Sequence, residues 1–356
     1  MTAFAHRHAV VVVGLGRVGR AVIAALRGAS GLHFRAAGET FSIVGLVDSR
    51  GAVLDEEGLS TEKVDEILAL KERGGTAAEI GVSESVSGIV PSLPATSLVV
   101  DATSSHALAP SWKSALDRGC GVVLANKLPL CGAWSAAKSL FEHPRLRHEA
   151  TIGAGLPIVS TARKLLATGA GVHAAEGVLS GTLSSITAAI AGGEPLSEAL
   201  EKAQSLGYSE HDPLEDLTGR DVSRKALILA RTRGWPLEPS DVETEPLVDP
   251  SLTSFDALAA SLPRLDRELA DRFRKARAEG MTLRYIARLT PRGATASLCP
   301  VVPDSLHGTL RGPSYLVAFH SEIYKAPVVL IGPGSGPRRA AAGVLTDLLD
   351  LAGAVH

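Results

Sequence analysis

The apolar run Ala9 to Val13, four of its five residues β-branched valines, passes directly into Gly14-Leu-Gly16-Arg17-Val18-Gly19, and this junction constrains the fold more than any other feature of the chain. A continuous apolar run of this kind predicts a strand covered on both faces, so helices must pack on either side of its sheet. The residues from Arg20 to Leu26 place apolar side chains at helical spacing, so the glycines join a strand to a helix. That context turns a glycine pattern into a dinucleotide-binding turn. Glycine lets the backbone bend sharply and approach a pyrophosphate, whose charge is stabilised by N–H groups at the helix N-terminus.

The same alternation continues through the first 145 residues. Further strands are expected at Phe41 to Val47, Ser97 to Asp101 and Gly121 to Ala125, with helices near Thr61 to Glu72, Pro110 to Arg118 and Ala133 to Phe141. Together they predict an α/β, doubly wound Rossmann-type sheet. Beyond residue 145 the rhythm changes to an α+β pattern. A strand near His148 to Ile152 is expected to lead into a helix starting at Pro157. A strand over Gly171 to Leu179 precedes helices near Leu183 to Ala191, Ser197 to Leu206 and Asp221 to Arg233. Trp235 to Pro250, rich in proline and acids, reads as a surface loop, and Arg264 to Glu279 as a charged helix. Four more strands follow, at Leu283 to Leu289, Ala296 to Val302, Tyr315 to His320 and Val328 to Ile331. The turn Gly332-Pro-Gly334-Ser-Gly336 then feeds an apolar helix, Ala340 to Leu351. The expected domains are 1–145 for nucleotide, 146–331 as a second, α+β substrate domain, and 332–356 returning to the nucleotide domain.

Composition narrows the partners. With 45% hydrophobic and 21% charged residues and a formal net charge of −2, the chain has no basic excess to attract nucleic acid or an anionic membrane surface. Its apolar stretches are broken well before the roughly 18 residues a membrane span needs. The three cysteines, Cys120, Cys131 and Cys299, form no metal-binding spacing and read as reduced thiols of a cytoplasmic protein. Cys299 is a candidate for an intersubunit disulfide if it lies on a symmetric interface.

Several polar residues carry two readings each. Asp48, at the end of the second expected strand, can accept hydrogen bonds from ribose hydroxyls and favour NAD, whereas Arg50 can pair with the 2′-phosphate of NADP. Asp48 lies 29 residues beyond Gly19, farther than the usual spacing of about 20, and an ordinary Asp48-Ser-Arg-Gly51 turn with a solvated charge pair is the alternative. Asp221 and Lys225 stand four apart on an expected helix, where a surface ion pair is the plain interpretation. Lys127 follows an expected strand end, at the carboxyl edge where parallel sheets bind ligands.

Context decides the reading of Asp221, Lys225 and Lys127, while the choice between NAD and NADP stays open. Glu149-Ala-Thr-Ile152-Gly-Ala154-Gly-Leu156-Pro157, Gly177-Val-Leu-Ser-Gly-Thr182-Leu-Ser184, Gly207-Tyr-Ser-Glu210-His-Asp-Pro213 and Asp216-Leu-Thr-Gly-Arg-Asp221-Val-Ser-Arg-Lys225 resemble, in this order, the signature stretches of homoserine dehydrogenases. Asn126-Lys127 and the glycine turn at 332–336 fit the same family. The resemblance implies NAD(P)-dependent interconversion of L-aspartate 4-semialdehyde and L-homoserine, on the route to threonine and methionine, in a homodimer. It implies Lys225 as proton donor or acceptor and Lys127 as a second cation near nicotinamide and substrate. Glu210 and Asp221 would hold the substrate with Asp216 in support, and Thr182 and Gly207 would line its pocket. Gly14, Gly16, Arg17, Val18, Gly19, Asp48, Arg50, Thr103, Ser104, Lys127 and Gly334 would form the cofactor site. A monovalent cation, usually sodium, would bind the main-chain carbonyls of Glu149, Ile152, Ala154 and Leu156.

Chemistry supports these assignments independently. Hydride arriving at an aldehyde carbon drives charge onto the oxygen, and a nearby ammonium stabilises that charge and supplies the proton. Burial, or a second cation such as Lys127, is expected to lower the Lys225 pKa toward neutrality. The sequence departs from the family at His211, where proline is usual, and at the basic Pro337-Arg338-Arg339. It ends at His356, so an appended regulatory domain, and feedback by threonine through one, are not expected. Two rivals remain: a phosphorylating semialdehyde dehydrogenase, which needs a cysteine thiolate, and a nucleotide-sensing binding protein of the same fold without turnover.

Overall fold

The computed structural model describes residues 6–27, 33–36, 38–207 and 213–353. The chain divides into two compact units, Met1–Gly155 with Gly336–His356, and Leu156–Ser335.

The first unit is built on a seven-stranded sheet among the described residues. Its strands are β1 (His6–Val13), β2 (His33–Ala36), β3 (Glu39–Val47), β4 (Ala52–Leu54), β5 (Leu98–Asp101), β6 (Gly121–Leu124) and β7 (Leu146–Arg147). The order β2-β3-β1-β5-β6-β7 makes β1 the switch point, with parallel neighbours β3 on one side and β5 on the other. β2 and β4 pair antiparallel with β3. Val10 to Val13 are at most 2% exposed, which is the cover on both faces that their β-branched run demands. The helix Arg17–Arg27 buries Val22, Ile23 and Leu26 against this sheet. Ala341, Val344 and Leu348 of the helix Pro337–Leu351 complete the same core.

The second unit holds a six-stranded sheet of order β13-β12-β8-β10-β11-β9 among the described residues. Its members are β8 (Val172–Val178), β9 (Val242–Thr244), β10 (Thr282–Thr290), β11 (Gly293–Val301), β12 (Ser314–Ser321) and β13 (Val328–Pro333). The pairs are antiparallel except β9 with β11. The helices Gly181–Ala191 and Arg220–Thr232 pack on the sheet, the second burying Val222, Lys225 and Ala226 through Thr232.

Three sequence expectations are corrected. His148 to Ile152 is not a strand: β7 stops at Arg147 and Ala150–Gly153 is a short helix. Trp235 to Pro250 is not merely a surface loop, because it contributes β9 and buries Trp235, Leu237, Leu247 and Val248. The charged helix begins at Phe255 and continues through Pro263 to Ala278. Proline removes one helical hydrogen bond at a cost of about 3 kcal/mol, yet Leu258 before it and Leu265, Leu269 and Phe273 after it are all buried, so packing keeps both halves helical.

Candidate active site

The first unit gathers its candidate residues just past the carboxyl ends of neighbouring parallel strands: Gly14 after β1, Asp48 after β3, Thr103 after β5 and Lys127 after β6. A ligand in an open parallel sheet binds at this edge, at the switch point. Gly14 has φ 95°, and a Cβ there would lie 2.7 Å from the Ala102 carbonyl carbon. A Cβ on Gly19 would lie 1.8 Å from the Gly14 oxygen, so that glycine lets the helix start directly beneath the turn. A Cβ on Gly16 would meet nothing within 4 Å. Protein packing therefore does not require glycine at 16, and its bare backbone leaves room for a ligand. Arg17 and Val18 open the helix behind it.

The loops after β5 and β6 are tied together by a buried acid that sequence reasoning missed. Asp101, fully buried, accepts from the Thr103 backbone N–H at 2.9 Å, from Trp112 Nε1 at 2.8 Å and from Asn126 Nδ2 at 3.1 Å. Burial raises its pKa, with these hydrogen bonds opposing. Asn126 Nδ2 also reaches Thr103 Oγ1 and the Ser105 carbonyl, at 3.2 and 2.7 Å. The network fixes the backbone on which half-buried Lys127 stands, before the 3₁₀ turn Leu128–Leu130, with Ser104 exposed beside Thr103.

Asp48 has a different task from the one its position suggests. Its carboxylate is 6% exposed and accepts from the backbone N–H groups of Arg50, Gly51 and Ala77 at 2.9, 3.1 and 2.9 Å, and from Lys71 Nζ at 2.8 Å. Burial alone would raise its pKa; the Lys71 hydrogen bond, the backbone donors and the Lys71 charge together hold it below the usual carboxylate value. Both oxygens are thus engaged, and the ion partner is Lys71, not the exposed Arg50.

Around residues 149–156, Glu149 is buried and its N–H donates to Asp347 Oδ2 at 2.8 Å. Ile152 lies in the short helix, and Leu156 O accepts from Ile158 N at 2.7 Å. Ala154 has φ 54°, a left-handed backbone that a residue bearing a Cβ adopts at a cost of roughly 1–3 kcal/mol.

In the second unit Lys225 is no surface residue. It is 6% exposed on the packed side of its helix, and Nζ donates to the Leu179 carbonyl at 2.9 Å and to Tyr315 Oη at 2.6 Å, and pairs with Asp221 Oδ2. Nζ also lies 5.0 Å from the Tyr315 ring centre. Burial would lower the ammonium pKa, but the charge and hydrogen bond of Asp221, with Tyr315, outweigh it and hold the pKa above the ordinary lysine value. This corrects the expected lowering: the nearby group that dominates is an anion on the preceding turn, not a second cation.

Asp216 completes the cluster. Its Oδ1 accepts from Ser180 Oγ at 2.9 Å, and Thr182 donates to the same carboxylate. Ser180 caps the helix Gly181–Ala191 through the Leu183 N–H. Burial and the charge of Asp221 raise the Asp216 pKa, while Lys225 opposes them. Two glycines make the arrangement possible. Gly219 starts the helix at φ 74°, and a Cβ there would lie 2.2 Å from Tyr285 Oη; a Cβ on Gly334 would lie 2.1 Å from Tyr315 Cγ. Gly334 therefore seats the ring that holds Lys225, and Tyr315 is a further residue missed in the sequence. Gly207, at φ 70°, ends the helix Leu196–Ser205, while Glu210 and His211 lie outside the described residues.

The cysteines are free thiols. Burial pushes Cys120 up, away from an activated nucleophile, and Cys131 Sγ donates to the Lys127 carbonyl. Cys299 is buried and accepts from Arg288 Nη1 at 2.9 Å. No helix is long and apolar enough to cross a membrane among the described residues.

Residues 14–144 match the family model described as homoserine dehydrogenase, NAD binding domain, and residues 157–349 match the model described as homoserine dehydrogenase. The chain is 32% identical over 355 residues to the chloroplastic bifunctional aspartokinase/homoserine dehydrogenase 2 of Arabidopsis thaliana, covering 96% of this chain and 38% of that protein. It therefore spans well under half the length of the plant relative. The homoserine dehydrogenase of Paracoccidioides brasiliensis is 32% identical over 293 residues, covering 77% of this chain and 79% of the relative. A hyperthermophilic archaeal homoserine dehydrogenase in complex with NADPH shares the fold, with a TM-score of 0.73 at 23% identity over 97% of this chain and 98% of the other. With both halves matched in order and a fungal relative aligned over most of its length, the chain belongs to the homoserine dehydrogenase family.

Proposed function

We propose that this protein interconverts L-aspartate 4-semialdehyde and L-homoserine with a nicotinamide cofactor. The observation that carries the reading is the cluster of buried Lys225 and Tyr315 with half-buried Asp221 and Asp216. Asp221 pairs with the ammonium, the charges of Asp221 and Lys225 both act on Asp216, and burial with the Asp221 charge raises the Asp216 pKa. A site with surplus negative charge suits a substrate that brings its own ammonium, as an amino acid does.

A reduced nicotinamide, when bound, supplies the hydride. Lys225, releasing one of its three protein acceptors, then donates the freed proton to the carbonyl oxygen as charge builds there. Its raised pKa keeps it an ammonium at neutral pH, and it remains acid enough to protonate an alkoxide, which is about as basic as hydroxide (water pKa about 15.7). Asp221 orients Lys225 and, with Asp216, Thr182, Gly207 and Glu210, receives the amino-acid end of the substrate. Lys127 adds a cation on the nucleotide side.

The cofactor is NADP in this reading. An NAD-type site needs a carboxylate able to accept from ribose hydroxyls, and the Asp48 oxygens already take four protein donors. The exposed Arg50 supplies the positive charge that a 2′-phosphate requires, Lys71 being paired with Asp48. Gly14, Gly16, Arg17, Val18, Gly19, Thr103, Ser104 and Gly334 remain the other proposed cofactor residues. For a monovalent cation the carbonyls of Glu149, Ile152, Ala154 and Leu156 are suitable hard, neutral donors. A cytoplasmic homodimer belongs to the same reading. Light scattering of the purified protein checks the dimer.

Mixing the protein with homoserine and NADP, then NAD, and following nicotinamide absorbance tests the reaction. Growth of the reduced-cofactor band is expected. Stoichiometric nucleotide binding with no absorbance change under either cofactor would instead support a nucleotide sensor.

A further inference from the structure

We propose that the second unit carries an anion-binding site of the phosphate class at the C-terminal end of the helix Gly181–Ala191. That helix is 11 residues long, so this end lies roughly 16 Å from the Ser180 cap at which Asp216 is held. A cavity of about 320 Å³ opens there, lined by Arg277, Arg284 and Arg311 together with Ala188, Phe273 and Pro303. No carboxylate lines it.

Arg284 is the unusual member. It stands on β10 and is 2% exposed, yet it makes no ion pair among the described residues. Its Nη1 donates to the Leu283 carbonyl at 2.8 Å and its Nη2 to the Gly308 carbonyl at 2.8 Å, and its buried Nε has no partner among them. Arg311 Nη1 donates to the same Gly308 oxygen at 2.9 Å, so two guanidinium groups are gathered on one acceptor. Arg277 Nη2, from the neighbouring helix Phe255–Ala278, is fixed at the Ala191 carbonyl at 2.7 Å. Burial, and then the charge of Arg311, push Arg284 down to about 10, which still leaves it cationic at neutral pH.

Folded proteins rarely keep a buried charge without an opposite charge, because neutral carbonyls do not replace the lost hydration of a cation. Here the Gly308 carbonyl holds two repelling guanidinium groups side by side. An anion in the cavity would relieve both, and guanidinium forks match the paired oxygens of a phosphate group. With no acid in the lining, the site has nothing to receive an ammonium, which argues against a free amino acid as its ligand.

Inorganic phosphate is the probe. Calorimetry of the purified protein with NADP present, run in phosphate and in succinate at matched ionic strength in chloride, is expected to show one phosphate bound per chain and a saturating rise in Tm. Arg311→Ala removes an exposed side chain, so it should keep the fold and phosphate-free turnover while weakening phosphate at least tenfold. Arg284→Met should abolish the binding if it folds. Equal affinity in wild type and Arg311→Ala, no heat beyond that in chloride, or a response to succinate alone would each overturn the proposal.

Discussion

At Lys225 burial pulls the pKa down and Asp221 pulls it up, and Asp221 wins. Asp221→Asn removes the opposing charge, so the ammonium should lose its proton at lower pH. The basic limb of the pH profile for aldehyde reduction is expected to move to lower pH in this variant, and an unchanged limb would detach Asp221 from Lys225. The linkage has the corresponding sign. A raised lysine pKa contributes stability fully below about 10.4, the unfolded value, and that contribution is lost as pH climbs through the folded value. Gly334→Ala would drive a Cβ into the Tyr315 ring. Destabilisation of about 1–3 kcal/mol is expected from urea unfolding, with reduced turnover because the ring that holds Lys225 must shift. The sequence made Lys225 and Asp221 visible through their local context, but not their surroundings. Tyr315 lies 90 residues from Lys225 and Lys71 lies 23 residues from Asp48, so neither partner leaves a local signal.

Elements were legible where periodicity and burial agree. The valine run of β1 and the apolar spacing of Arg17–Arg27 point to one sheet-and-helix solution, and the switch point follows from it. Legibility failed where a distant partner overrides a local signal. β9 is three residues long and exists because β11 offers an edge, while Pro263 is a breaker inside a helix kept intact by its buried leucines. Because Pro263 is exposed and costs a helical hydrogen bond, Pro263→Ala should stabilise this unit by about 1–3 kcal/mol, read as a higher urea midpoint. A lower midpoint would mean the proline serves the packing of that helix.

At the scale of the whole molecule, the chain's ends share one unit: the helix Pro337–Leu351 returns to the core begun by β1 and Arg17–Arg27. A chain truncated after Ser335 loses Ala341, Val344 and Leu348 from that core. Each large buried aliphatic side chain contributes about 1.5–3 kcal/mol, so the truncated protein should lose nucleotide binding or solubility. Cofactor choice is decided in the same unit. Arg50→Ala should weaken NADP by tenfold or more in a fluorescence titration while leaving NAD nearly unchanged, and equal effects on both would reject the phosphate contact. The most direct test of the account is the turnover of Lys225→Ala with homoserine and NADP, measured beside its nucleotide affinity. Wild-type affinity with turnover reduced by orders of magnitude is predicted; near-normal turnover would contradict the role given to this lysine.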